Sequence, residues 1–182
     1  LNGTPTDDEL LELFQNDPEQ AIDLLFRKHY SDLCRRVLRL VKVPEVSEDI
    51  AQEVFLDLWR KRERLQVRVS LGAYLVQAAR NKALNHLRDH RMDRQSEEIT
   101  DRQWLVEARA LSQLQANDLQ ERIDALLDRL PERCRLVFVL SRFEELTNKE
   151  IAREMGITEK TVENQMNKAL RLLRKGLAAY FG

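Results

Sequence analysis

The sequence predicts an all-α chain: two small helical domains joined by a linker. Three observations predict it. Glycine and proline are scarce, 5 and 4 in 182 residues, and aromatics make up 6%, which suits helices better than a sandwich or barrel. Apolar residues recur at the helical period in run after run. Several runs open on a capping signature, Thr6 with Glu9 and Thr147 with Glu150 the clearest. With 43% hydrophobic residues the chain has material for a core and is not of the disordered class. No apolar run approaches the ~18 residues of a bilayer span, so no membrane insertion is expected. The opening residues show no basic-plus-apolar leader, and a cytoplasmic location is expected.

The first helix starts after Thr6. Asp17-Pro18 interrupts it and restarts the chain as a helix whose stripe includes Ile22, Leu25, Phe26, Leu33, Val37, Leu40 and Val41. Val43-Pro44 ends that segment, and Ser47 is read as the cap of the next helix, with Glu48 and Asp49 in its first turn. There Ile50, Val54 and Leu58 form the inner stripe, flanked by Ala51, Phe55 and Trp59, while Asp49, Gln52, Glu53, Leu56 and Arg60 take the other side. A basic run, Arg60 to Arg64, leads to a short loop. Ser70 caps a helix over about 71–91 with Ala73, Leu75, Val76, Ala79, Ala83, Leu84 and Leu87 inward. Residues 95–117 lose the period and read as a linker with some helical content. Asp118 caps a helix running to about Leu130, and Pro131 suits the start of the next, whose core positions are Leu136, Val137, Val139 and Leu140.

Catalytic and metal chemistry find little support. Cys34 and Cys134, the only cysteines, sit inside apolar patterns and read as buried thiols. His86 and His90 are four apart, but Leu87 stands where a zinc protease motif needs its glutamate, so a solvated helix face is expected. There is no glycine-rich phosphate loop and no nucleophile elbow. No enzyme, cofactor or metal is expected.

The last third carries the functional argument. Thr147 opens a short helix, Gly156 makes a turn that tolerates positive φ, and Thr158 caps a final helix. This is a helix-turn-helix pattern. Val162, Met166, Ala169 and Leu173 share the inward face of the final helix. Lys160, Glu163, Asn164, Asn167, Lys168 and Arg171 share another face, rich in groups that pair with base edges or phosphates.

Two motifs then resemble the extracytoplasmic-function sigma factors of bacterial RNA polymerase, members of the sigma-70 family. Residues 49–59, DIAQEVFLDLW, resemble the helix of conserved region 2. Leu130-Pro131-Glu132-Arg133, residues 150–157 (EIAREMGI) and Thr161-Val162 resemble region 4. The likeness spans about 20–92 and 118–177. It implies a region 2 domain over 1–94, a linker over 95–117 and a region 4 domain over 118–182. It implies that Asp49, Gln52, Glu53, Leu56, Trp59 and Arg60 dock on the β′ clamp helices of core polymerase, with the β flap a further polymerase contact. Tyr74, Arg80, Asn81, Lys82, Asn85, Arg88 and Arg91 would bind the melted −10 strand, with a base-capturing loop at about 65–72. Lys160, Thr161, Glu163, Asn164, Asn167, Lys168 and Arg171 would read duplex DNA at −35. The resemblance also implies an anti-sigma partner and a monomer when free. A linker with ~75 Å of extended reach can bridge promoter boxes ~70 Å apart. The remaining alternatives are a two-domain helix-turn-helix regulator without a sigma role and a helical interaction protein without DNA contact.

The charge pattern fits such partners. The net charge is only −1, yet residues 1–25 and 44–57 hold acids and no Lys or Arg. Residues 60–94 hold ten Lys or Arg against Glu63, Asp89 and Asp93, and residues 160–175 hold five against Glu163. Acidic stretches suit a protein partner and basic ones suit DNA.

Overall fold

A computed structural model describes residues 5–64, 70–90 and 119–181, with side chains at 7, 8, 119–122 and 179–181 left aside. Every regular element among the described residues is an α-helix: α1 (Asp7–Asn16), α2 (Pro18–Val41), α3 (Pro44–Lys61), α4 (Leu71–His90), α5 (Leu119–Arg129), α6 (Glu132–Arg142), α7 (Asn148–Met155) and α8 (Glu159–Phe181). The chain divides into two compact units, Leu1–Met92 and Asp93–Gly182.

Local chemistry sets most boundaries in the first unit. Thr6 Oγ1 accepts from the Glu9 amide while the Glu9 carboxylate accepts from the Thr6 amide, the expected capping box. Asp17 accepts from the Gln20 amide, and Pro18 fills the first turn of α2, where its missing N–H costs nothing. Lys42 closes α2 in the left-handed conformation, φ 63°. Ser70 Oγ accepts from the Ala73 amide, so the expected cap of α4 forms.

The start of α3 corrects the sequence reading. Ser47 is not its cap. The helix begins at Pro44 with Val43 in the cap position, and Ser47 is buried in the first turn, donating its hydroxyl to the Pro44 carbonyl at 2.7 Å. Proline's preset φ starts the helix four residues earlier than the serine signal suggested, and the serine satisfies itself locally.

Helix α2 packs on both α3 and α4. Leu25, Leu33, Leu40, Leu58, Leu71 and Leu75 are fully enclosed. Full burial of each such side chain is worth about 1.5–3 kcal/mol. Ala73 of α4, assigned inward from the pattern, is exposed; the inner stripe is Leu71, Leu75, Ala79 and Ala83.

In the second unit Leu126, Leu127, Leu130, Cys134, Ala169, Leu172 and Leu173 form one core cluster. Pro131 lies just outside α6, at its cap, rather than inside the helix. Thr147 and Glu150 form the second capping box, and Gly156 ends α7 at φ 64°, ψ 37°. Thr158 Oγ1 accepts from the Thr161 amide and caps α8. The helix-turn-helix is therefore formed, with Ile151, Ala152 and Val162 buried between its parts.

Candidate functional site

Helix α3 turns Ile50, Ala51, Val54, Phe55 and Leu58 into the core, and this leaves Asp49, Gln52, Glu53, Leu56, Trp59 and Arg60 outward. Leu56 is 51% exposed and Trp59 38%, so Trp59 is not a core residue. The Arg62 guanidinium lies 4.2 Å from the Trp59 ring centre and donates to the Trp59 carbonyl at 2.9 Å, holding the indole in place. Arg60 makes a long ion pair with Asp57, 3.7 Å.

This surface continues onto α2, which the sequence reading did not assign to it. Phe26 stacks on Tyr30 at 4.5 Å and lies 5.0 Å from Phe55, and the Gln52 amide reaches the Tyr30 hydroxyl at 3.5 Å. Phe26 itself is exposed. The helical period reads Phe26 as part of the α2 inner stripe, and no local signal marks its ring as an extension of the α3 surface. Exposed apolar side chains ringed by carboxylates and amides suit an amphipathic, basic partner helix.

On α4 the expected residues do not form one surface. Tyr74, Asn81 and Lys82 line a groove of about 440 Å³ with Asp57 and Lys61 of α3. Lys82 and Asn85 also line a second groove of about 400 Å³ with Asp49 and Glu53 of α3 and with His86 and His90. Arg88 hydrogen-bonds Asn85. Arg80, two residues from Lys82, lies on the opposite edge of the helix and is half-buried. Arg91, most of the 65–72 loop, the 95–117 linker and Asp118 lie outside the described residues.

Lys82 is tied down. Its ammonium donates to Glu53 and to Asp57 of α3, 3.0 Å in each case. Partial burial disfavours its charge, but the Asp57 and Glu53 bonds outweigh this and hold its pKa above the ordinary lysine value. Asp57 was not among the expected site residues. Its role depends on a contact with α4 that no local pattern reveals.

His86 and His90 stack at 4.0 Å. Burial, then the neighbouring His90, push the His86 pKa down. Among the described residues no group of His, Cys, Asp or Glu could hold a metal ion. Both cysteines are free thiols, and burial raises the pKa of each. Among the described residues no helix is long and apolar enough to cross a membrane.

Helix α8 buries Val162, Ala169 and Leu173 as expected, but Met166, assigned inward, is only half-buried, and Leu172 is buried as well. Lys160, Glu163, Asn164, Asn167 and Arg171 are exposed, with Thr161 and Lys168 partly so. Lys160 pairs with Glu163 one turn on, at 3.1 Å. Thr161 shares a hydroxyl hydrogen bond with Thr158. Helix α8 thus offers a row of amides, hydroxyls and cations from the second helix of a helix-turn-helix.

An all-helical chain with an exposed amphipathic helix in one unit and a capped helix-turn-helix in the other has the parts of a transcription initiation factor. Two family comparisons agree: Sigma-70 region 2 matches residues 25–92, and Sigma-70, region 4 matches residues 120–173. The chain is 27% identical over 180 residues to the RNA polymerase sigma-H factor of Pseudomonas aeruginosa, covering 94% of this chain and 93% of the relative. It is 25% identical over 166 residues to the ECF RNA polymerase sigma factor SigX of Bacillus subtilis, covering 86% and 84%. Its fold is similar to that of CnrH, solved in complex with the cytosolic domain of CnrY, with TM-score 0.54 and 19% identity over 95% of this chain and 97% of that one. The chain belongs to the sigma-70 family, as an extracytoplasmic-function sigma factor, the class of protein that directs RNA polymerase to promoters. The region 2 match leaves the regulator alternative unsupported.

Proposed function

We propose that residues 1–94 form the domain that docks on core polymerase and holds melted −10 DNA. Residues 118–182 read duplex DNA at −35, and 95–117 link the two. The observation that carries this reading is the outer face of α3. A helix with a full inner stripe has no packing reason to leave Leu56 and Trp59 exposed among Asp49, Gln52 and Glu53, and a partner helix supplies one. The partner is core polymerase through its β′ clamp helices, with the β flap a further contact. An anti-sigma factor, present before induction, covers the same face.

Helix α4 borders the melted strand. Tyr74 can stack on an unpaired base, and Asn81, Asn85 and Arg88 supply donors along one side. On α8, Asn164 and Asn167 suit adenine edges, Lys168 and Arg171 suit guanine or phosphate, and Thr161 suits phosphate. Glu163, paired with Lys160, accepts from cytosine or orients that lysine. The chain performs no bond chemistry; the polymerase does. It works in the cytoplasm and is monomeric when free.

The test is a pull-down with purified core polymerase. The Asp49→Ala, Gln52→Ala, Trp59→Ala triple variant is expected to lose binding, and undiminished binding would overturn the docking assignment. In parallel, Asn164→Ala and Lys168→Ala are expected to weaken −35 duplex binding while core binding persists.

A further inference from the structure

Lys82 sits where the two grooves between α3 and α4 meet, because it lines both. A strand following α4 must pass it. Yet its ammonium faces two carboxylates one helical turn apart on α3, each at 3.0 Å. Two anionic oxygens on one ammonium resemble the oxygens a phosphate presents. We propose that the Glu53–Lys82–Asp57 bridge is an autoinhibitory contact, in which α3 carboxylates occupy in the free chain the cation that α4 offers to a nucleic-acid phosphate.

The contact is reversible by its own exposure. The Lys82 and Asp57 side chains are each 29% exposed and Glu53 is 61% exposed. Bridges this exposed are weak, so a phosphate or a competing cation can displace them. The asymmetry gives an order of release. A basic partner on α3 reaches Glu53 first and leaves Lys82 with Asp57 alone, so docking on α3 raises the affinity of α4 for DNA without moving either helix. The inference rests on the reading that α4 faces single-stranded DNA.

The experiment measures binding of the full chain, without polymerase, to a labelled single-stranded DNA oligonucleotide over a range of salt. The Glu53→Gln, Asp57→Asn double variant is expected to bind about fivefold tighter. Its log-log salt slope is expected to steepen by about 0.7, one added phosphate contact on a single strand. Adding Lys82→Gln should abolish both gains. If the double variant melts early, Glu53→Gln alone, at an exposed position, should give a smaller gain of the same sign. A gain that survives Lys82→Gln shows simple relief of repulsion and overturns the proposal, as does no gain in a folded variant. Run-off transcription by the wild-type chain with core polymerase separates the two levels. Promoter-specific transcripts without the double-variant gain overturn the bridge alone; no transcripts overturn the DNA reading and the bridge with it.

Discussion

In α4 the central lysine is drawn back across 29 residues of sequence to a carboxylate on another helix, whereas in α8 Lys160 pairs with Glu163 one turn away and Asn164 and Asn167 stay outward. Similar side chains are therefore held in two ways. The polar face of α8, proposed to meet a duplex, is supported by a local cap and a local pair. The polar face of α4 shares its cation with the helix proposed to dock on polymerase. Under the proposed roles, a helix that reads a duplex needs no preparation, while one that grips a melted strand gains from being weak until a partner is in place.

The largest expected effect tests whether each face depends on its own core. Leu126→Ala in the α5–α6–α8 cluster should cost about 2–5 kcal/mol of stability, through lost burial and a residual cavity. Calorimetry, with duplex binding measured alongside, checks it. Trp59→Ala, on the α3 surface, should cost about 2 kcal/mol of core-polymerase affinity, close to thirtyfold, and leave the thermal transition in place. Titration of labelled polymerase reads this directly. Asn164→Ala should weaken −35 duplex binding by about 1–3 kcal/mol and relax preference at one base pair, whereas Lys168→Ala should weaken all duplexes alike and flatten the salt slope by about 0.9. Equal loss on α4 and α8 substrates would erase the distinction between the two faces.

Two smaller effects sharpen the comparison. Thr147→Ala removes the box that starts the helix-turn-helix and should cost about 1 kcal/mol, seen as a lower melting temperature. In the first unit the Arg36 hydrogen bond, against a smaller opposing effect of burial, holds the Asp32 carboxyl below its ordinary pKa. A depressed carboxylate stabilises the folded chain above its unfolded pKa, about 3.9, and that stability is lost as pH falls through the lower folded value. Wild type and Asp32→Asn should therefore differ slightly in melting temperature at pH 6 and converge as the pH falls through the folded value, below the unfolded one.

What was legible in the sequence was whatever chemistry is local. Thr6 with Glu9, Asp17 with Pro18, Thr147 with Glu150, and Gly156 each fix a boundary through atoms a few residues apart, and all four formed. The inner stripes of α3 and α8 followed from period alone. Where two local signals competed, Pro44 prevailed over Ser47, because a preset φ acts before a side-chain cap is needed. The rest depended on tertiary contact. Nothing near Lys82 in the sequence says that Asp57 holds it, and nothing near Phe26 says that its ring extends the α3 surface. The helical repeat alone turns Arg80 away from Lys82, whereas the family resemblance groups them by helix and not by face.

The most direct test of the central claim is run-off transcription by this chain and core RNA polymerase on templates randomised in both promoter elements. The account predicts transcripts from a selected −35 and −10 pair at fixed spacing. It also predicts that Trp59→Ala weakens initiation at every promoter alike, whereas Asn164→Ala shifts only the −35 preference. Transcripts with no enriched pair, or initiation unaffected by Trp59→Ala, would contradict it.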